Sequence, residues 1–427
     1  MLRLRAKLAC ALLAVIILTS SVLYGCNSPS TPNVPEPDGE TVGYNRLTEH
    51  VSPVPIPERL PDEVFYEAVK GFSSKIMMKS IHGTDNVALS PLALMNSLLL
   101  MSNGSSPMTA DEIIGLFSKK ITQTQFNEYM ATYVTALKLE SDFGLSSSFW
   151  INQRSTSFTP NPTFLQLNAN YYLADGFSYD GAIYNSTQII NSWLKNNSEL
   201  YSLSLGFSAV PNNSSITTLS GIHGKMDWET PFKSTQKGIF RSPEAEKEVV
   251  YMSSEETQLI HLGNSSGFVK SLTNGCKVAA IIPNENVKLS AVIEFIDLIG
   301  ISNIIDYTHT VSPFTVLIPE FTYQKITDCT EILSKCGLSR AFSVEQSGFS
   351  SISETPVPLY ISEIYSAVSL SFGESGMIAG GTPAASSVPS SAEETPLTAD
   401  VLYDHPFVYI VYDQHNIPLF IGNVVNP

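Results

Sequence analysis

The apolar positions of this chain follow two rhythms, and each predicts a different kind of element. Val64, Phe65, Ala68, Val69 and Phe72 recur at helical spacing across residues 63–72. Residues 86–101 predict a short strand, a helix start at Ser90-Pro91 and then a buried helix. Unbroken apolar runs at 149–152, 277–282 and 314–318 predict strands covered on both faces. Helical patterns lie between them at 290–298 and 328–335. The chain closes with a strongly apolar hairpin, Asp404-His405-Pro406-Phe407-Val408-Tyr409-Ile410 running on to Leu419-Phe420-Ile421 and the C-terminus. Just ahead of it, the segment between Glu374 and Glu393 is uncharged and rich in Gly, Ala, Ser, Thr and Pro. It is too small and polar to be a core strand. At the other end, residues 28–61 carry eight prolines among Ser, Asn and Thr and predict an extended tether. No internal repeat or second linker is present, so residues 62–427 are expected to form one domain of mixed α and β structure.

Composition narrows the function. The chain has 427 residues, 43% hydrophobic and 15% charged, with a formal net charge of −16. No basic run exceeds Lys119-Lys120. Phosphate binding needs clustered cations, which argues against nucleic acid as a partner, and the same reasoning argues against a polyanionic polysaccharide. Arg3, Arg5 and Lys7 followed by an apolar stretch at 8–22 form an export signal, too short for a stable membrane span. Leu23-Tyr24-Gly25-Cys26 resembles a bacterial lipobox, which implies cleavage before Cys26 and a lipid anchor on it. The expected layout is a lipoprotein signal at 1–25, a disordered tether at 26–61 and a folded head at 62–427, displayed outside the cell on a bacterial surface. Three further cysteines remain, Cys276, Cys329 and Cys336. The last two lie roughly 10 Å apart along a helix axis, beyond disulfide reach. All three read as buried small hydrophobes.

Enzyme chemistry finds little support. Gly263-Asn264-Ser265-Ser266-Gly267 fits the G-x-S-x-G nucleophile elbow, which requires a strand before it and a helix after it. Residues 268–270 instead continue as a second strand, which makes this a hairpin turn. The seven histidines lack metal-site spacing, and no nucleotide-type glycine loop is present. The expectation is no catalytic residue, no metal and no cofactor.

Six blocks carry a family resemblance: residues 86–91, the Ile190-Asn191-Ser192-Trp193-Leu194 helix, residues 219–232 ending Trp228-Glu229-Thr230-Pro231-Phe232, Ile318-Pro319-Glu320-Phe321, the stretch from Cys336 to Ile352, and the closing Asp404-His405-Pro406-Phe407 with Phe420-x-Gly422-x-Val424-x-Asn426-Pro427. In this order and spacing the chain resembles the serpin family. The resemblance implies an α+β serpin fold: a single domain with a large central mixed sheet, further smaller sheets, surrounding helices and an exposed reactive-centre loop. It also implies a function. A protease attacks the loop as substrate, and the cut loop inserts as a new central strand before the acyl-enzyme can hydrolyse.

Under that resemblance Phe372-Gly373-Glu374-Ser375-Gly376 is the hinge, with Met377, Ala379, Gly381, Pro383 and Ala385 facing inward. Ala and Gly suit a packed sheet, whereas Pro383 removes a ladder donor. The family's sheet-opening cluster falls on Ser90, Ala93, Ser220 and Tyr365, beside Trp228. The scissile bond is expected among Ser390, Ser391, Ala392, Glu393 and Glu394. Ser or Ala at the primary site suits an elastase- or subtilisin-like protease, and Glu a glutamate-specific one. The expected function is suicide inhibition of an extracellular serine protease by a monomer. The alternative is a non-inhibitory serpin, a binding protein or cleavable decoy, favoured by Pro383 and the altered opening cluster.

Overall fold

The computed structural model describes residues 43–141, 143–154, 158–196, 210–355, 357–379 and 397–427. Two sheets organise them. The first has seven strands in the order β1 (Tyr44–Arg46), β4 (Asp175–Tyr179), β3 (Gly144–Asn152), β5 (Ile216–Asp227), β13 (Gly376–Ala379), β12 (Ile361–Phe372) and β11 (Phe321–Asp328). It is mixed, because β5 runs parallel to β12 and antiparallel to β3. The second has nine strands: β14 (Val401–Leu402), β10 (Thr308–Pro319), β7 (Glu246–Leu262), β8 (Ser265–Ser271), β9 (Lys277–Pro283), β15 (Phe407–Tyr412), β16 (Pro418–Val424) and β2 (Val87–Leu89) in order, with β6 (Ser234–Arg241) also on β7. The 17-residue β7 pairs with β6, β8 and β10, so the smaller sheets expected from sequence are joined into one system.

The first helices follow their sequence signals. Asp62 caps α1 (Glu63–Ser80), its carboxylate accepting from the Phe65 amide at 3.0 Å. Ser90 caps α2 (Pro91–Ser102), with Pro91 in the first turn. All twelve residues of α2 are buried, including Asn96 and Ser97. That helix has no solvent face, which places polar side chains inside the core.

Aromatic contacts tie the sheets together at the end of β12. Phe321 stacks on Phe372 at 4.6 Å between centroids, and Phe372 meets Tyr409 at 5.4 Å. A second cluster covers the opposite face of the first sheet. There Trp150 stacks on Phe177 at 4.3 Å, and Trp193 of α6 (Ser186–Asn196) packs edge-on to both.

The body begins earlier than the Pro-rich composition suggested. From Gly43 onward the segment expected to be tether lies on the fold. Tyr44 sits edge-on to Trp150 and Phe177, β1 pairs with β4, and Arg59 holds Glu128 at 2.5 Å. A few well-spaced anchors, with Leu47 and Val51 against the core, outweigh the polar average.

Candidate functional site

The strands β5 and β12 are partners along part of their length and parted along the rest. Ile361 to Ala367 pair in parallel with Ile216 to Gly221. Above that, β13 lies between them, antiparallel to both. Gly376 to Ala379 face Asp227 to Gly224 on one side, and Met377 to Ala379 face Phe372 to Leu370 on the other. Met377 and Ala379 are buried and Ile378 is half-buried, as the period of two requires. At Gly376 a Cβ would stand 2.3 Å from the Met226 carbonyl oxygen and 2.8 Å from the Asp227 Cα, so only glycine fits.

Main-chain bonds and one indole hold the turn into β13. The amides of Trp228 and Phe232 donate to the carbonyls of Ser375 and Glu374, each at 3.0 Å. Trp228 Nε1 donates to the Gly373 carbonyl at 2.9 Å. The Glu374 side chain itself is exposed. Trp228 packs against Phe232 and Phe372. Beneath them Lys270, 3% exposed, pairs with Glu256 at 2.6 Å and lies 4.5 Å from the centre of the Phe232 ring. Sequence reasoning passed over this pair. Its one signal is a lysine inside the apolar run of residues 267–270.

Below the wedge, a buried polar chain crosses from α2 to the sheet. Asn96 Nδ2 donates to Ser147 Oγ at 2.8 Å, and Ser220 Oγ lies 2.6 Å from both Ser147 Oγ and Ser97 Oγ. Ser220 thus belongs to the cluster, but its helix partners lie one turn beyond those expected. Ser90 is occupied as the α2 cap, accepting from the Ala93 amide at 3.2 Å, and Ala93 is buried without a polar group. Tyr365 does not join it. It pairs with Leu219 and faces the opposite side of the sheet, among Trp150, Phe177 and Trp193, where burial and the nearby carboxylates of Glu363 and Asp328 raise its phenol. The residue opposite Ser220 is Ser366, whose buried hydroxyl has no hydrogen-bond partner among the described residues. A one-residue offset along a strand exchanges its faces.

At the far end of the parallel ladder Glu363 clamps the two strands. Its carboxylate accepts from Ser214 at 2.7 Å and Thr217 at 2.9 Å. Burial raises its pKa, and the charge of Asp328 adds to that.

Serine pairs at the junction give a direct expectation. Ser366→Ala removes a hydroxyl unsatisfied among the described residues and should stabilise the fold by about 1 kcal/mol or less. Ser220→Ala strands the hydroxyls of Ser97 and Ser147 and should cost about 1–3 kcal/mol. Urea denaturation of the two variants checks the opposite signs.

Gly381, Pro383, Ser390, Ser391, Ala392, Glu393, Glu394 and Cys26 lie outside the described residues. Ser265 closes the β7–β8 hairpin, buried and donating to the Leu262 carbonyl at 2.7 Å, so the G-x-S-x-G stretch is a turn. Both ring nitrogens of His405 are engaged, by Asp404 at 2.7 Å and the Pro283 carbonyl at 3.0 Å. Burial pushes the Cys276 thiol up to about 12 and raises Cys329 as well, which leaves little thiolate. Cys336 is half-exposed, in contrast to the buried position expected from its sequence. Among the described residues no group of three His, Cys, Asp or Glu side chains could hold a metal ion.

The short strand β13 thus stands between β5 and β12, two strands that pair directly with each other further along the same mixed sheet. The sequence profile described as Serpin (serine protease inhibitor) matches residues 67–427, and the chain belongs to the serpin family. It is 24% identical over 360 residues to alpha-1-antitrypsin of Meriones unguiculatus, covering 81% of this chain and 85% of that one. It is 25% identical over 288 residues to the macrophage plasminogen activator inhibitor 2 of Mus musculus, covering 62% and 66%. Its fold is similar to the native-state crystal structure of the thermophilic serpin tengpin, with a TM-score of 0.77 and 26% identity over 90% of this chain and 100% of the other.

Proposed function

We propose that this chain is a suicide-substrate inhibitor of an extracellular serine protease, held on a bacterial surface by a lipid on Cys26. The observation that carries the reading is the ladder of Gly376 to Ala379 with both β5 and β12. The hinge is engaged at the point from which a cut loop would extend. In the proposed reaction the protease's serine oxygen attacks a carbonyl among Ser390 to Glu394, forming an ester. The amine of the C-terminal fragment leaves with a proton. Freed of that tether, residues beyond Ala379 lengthen β13 downward, replacing the β5–β12 ladder with two antiparallel ones. The Ser220 junction and the Glu363 clamp must part in turn. Serpin loop insertion is itself a standing example of strand addition. The ester is trapped if insertion outruns hydrolysis, and each ~1.4 kcal/mol on either barrier shifts that race tenfold. A small side chain at the primary site would fit an elastase- or subtilisin-like protease, and cleavage at Glu393 or Glu394 a glutamate-specific one.

Nicking the loop with a protease that is not trapped tests the inserting behaviour apart from the target's identity. The nicked chain should unfold at a markedly higher temperature than the intact one. An unchanged unfolding temperature would favour the second reading, a cleavable decoy or binding protein, for which Ser366 and Ala93 at the opening cluster are the structural argument.

A further inference from the structure

A cavity of about 700 Å³ lies between α4 (Gln123–Ser141), residues 56–61 and the β15–β16 turn at Asp413 to His415. That is within the usual size of small-molecule sites. Its walls combine an apolar body with three carboxylates and one imidazole, that of His415 stacked on Tyr66 at 5.3 Å. Ile56, Leu60, Val134 and Leu145 supply apolar surface, and four tyrosines line it. Glu58, Glu140 and Asp413 are among the lining residues, and among the described residues that line it there is no lysine or arginine. The field is negative at Tyr66, whose phenol is raised by burial and then by the charges of Asp413, Glu140, Glu63 and Asp62. Asp413 is committed to the turn: it accepts from the amides of His415 and Ile417 and from Tyr133 Oη. It contributes potential there, with its hydrogen bonds already made. The cavity also shares a wall with the sheet junction. Asn96 lines it and is the same residue that donates to Ser147, and through Ser147 meets Ser220 of β5.

We propose that this cavity binds a small apolar amine, and that its occupant restrains the parting of β5 from β12 through Asn96. The first half stands on shape and charge. An ammonium group gains from the carboxylates and from the tyrosine faces, while an aryl or alkyl body fills the apolar space. The second half rests on the inhibitory reading. A ligand that prefers the wall with Asn96 bonded to Ser147 stabilises the sheet in that state.

Calorimetric titration of the full chain with 1-naphthylmethylamine, 1-naphthylmethanol and 1-naphthoate tests the first half. The amine should bind at least tenfold more tightly than the alcohol, and the acid should bind least. Glu140→Lys, at an exposed position, should weaken the amine about tenfold, and Ala136→Trp should abolish binding by filling the space, with the denaturation midpoint held in both. Equal affinity for amine and alcohol, or an amine indifferent to both substitutions, would overturn the site. For the second half, saturating amine should slow the gain of heat resistance after loop nicking at least threefold. An unchanged rate would overturn the coupling and leave the binding result intact. A nicked chain that never gains heat resistance would count against the inhibitory reading and against the coupling built on it, again without touching the binding result.

Discussion

Under the proposed trapping mechanism, Gly376→Val should turn the protein from an inhibitor into a substrate. A β-carbon at this position would collide with the Met226 carbonyl oxygen and the Asp227 Cα, both backbone atoms of β5 that no rotamer change can move aside. The valine branches add to that overlap, so Gly376 to Ala379 must leave the sheet. The intact fold should survive, because β5 and β12 keep their own parallel ladder and β13 contributes four residues. The proposed insertion, which extends β13 from this point, loses its first pairs. We expect the yield of covalent protease complex to fall at least tenfold, equivalent to ~1.4 kcal/mol or more on the insertion barrier. Cleavage of the loop should continue at an unchanged rate. Ile378→Thr is the control: its side chain is half-buried, and the yield should hold. Densitometry of complex and cleaved product, side by side, measures the partition.

Trp228→Ala should be among the most destabilising single substitutions in the chain. The indole is 4% exposed, packs against Phe232 and Phe372, and donates to the Gly373 carbonyl. Truncation leaves a cavity between the two sheets and removes the ring above Lys270, whose pairing with Glu256 depends on exclusion of water. Large-to-small changes of this kind cost about 3–5 kcal/mol. The loss should appear as a lower denaturation midpoint. Trp228→Phe keeps the packing and forfeits the hydrogen bond, and should recover more than half of it. Equal losses for Ala and Phe would instead place the stabilisation in the bond to Gly373.

Much of this architecture is legible in residue order because the relevant signals are local. Ser90-Pro91 followed by an all-apolar stretch reads directly as a capped, buried helix, and the apolar runs at 277–282 and 314–318 become β9 and β10. The C-terminal hairpin is equally plain, with every residue of β15 and β16 buried. The misreadings have particular causes. Residues 43–61 look like tether because prolines dominate the average, while Tyr44, Leu47 and Val51 do the anchoring. The sheet-opening cluster expected from sequence rests on motif position, and a shift of one residue in β12 places Ser366, and not Tyr365, opposite Ser220. On α2 the cluster moved by one turn, because Asn96 and Ser97, and not Ala93, point their polar groups at β3 and β5. The Lys270–Glu256 pair joins two strands through a contact that no linear motif encodes.

The most direct test of the central claim is incubation of the full chain with elastase-, subtilisin- and glutamate-specific proteases, followed by denaturing electrophoresis and mass spectrometry. The account predicts, with at least one of them, a band at the summed mass of protease and inhibitor minus the C-terminal peptide that survives denaturant. It also predicts a released peptide whose first residue lies within 391–395. Cleavage in that region by all three classes, with no denaturant-resistant band from any, would contradict it.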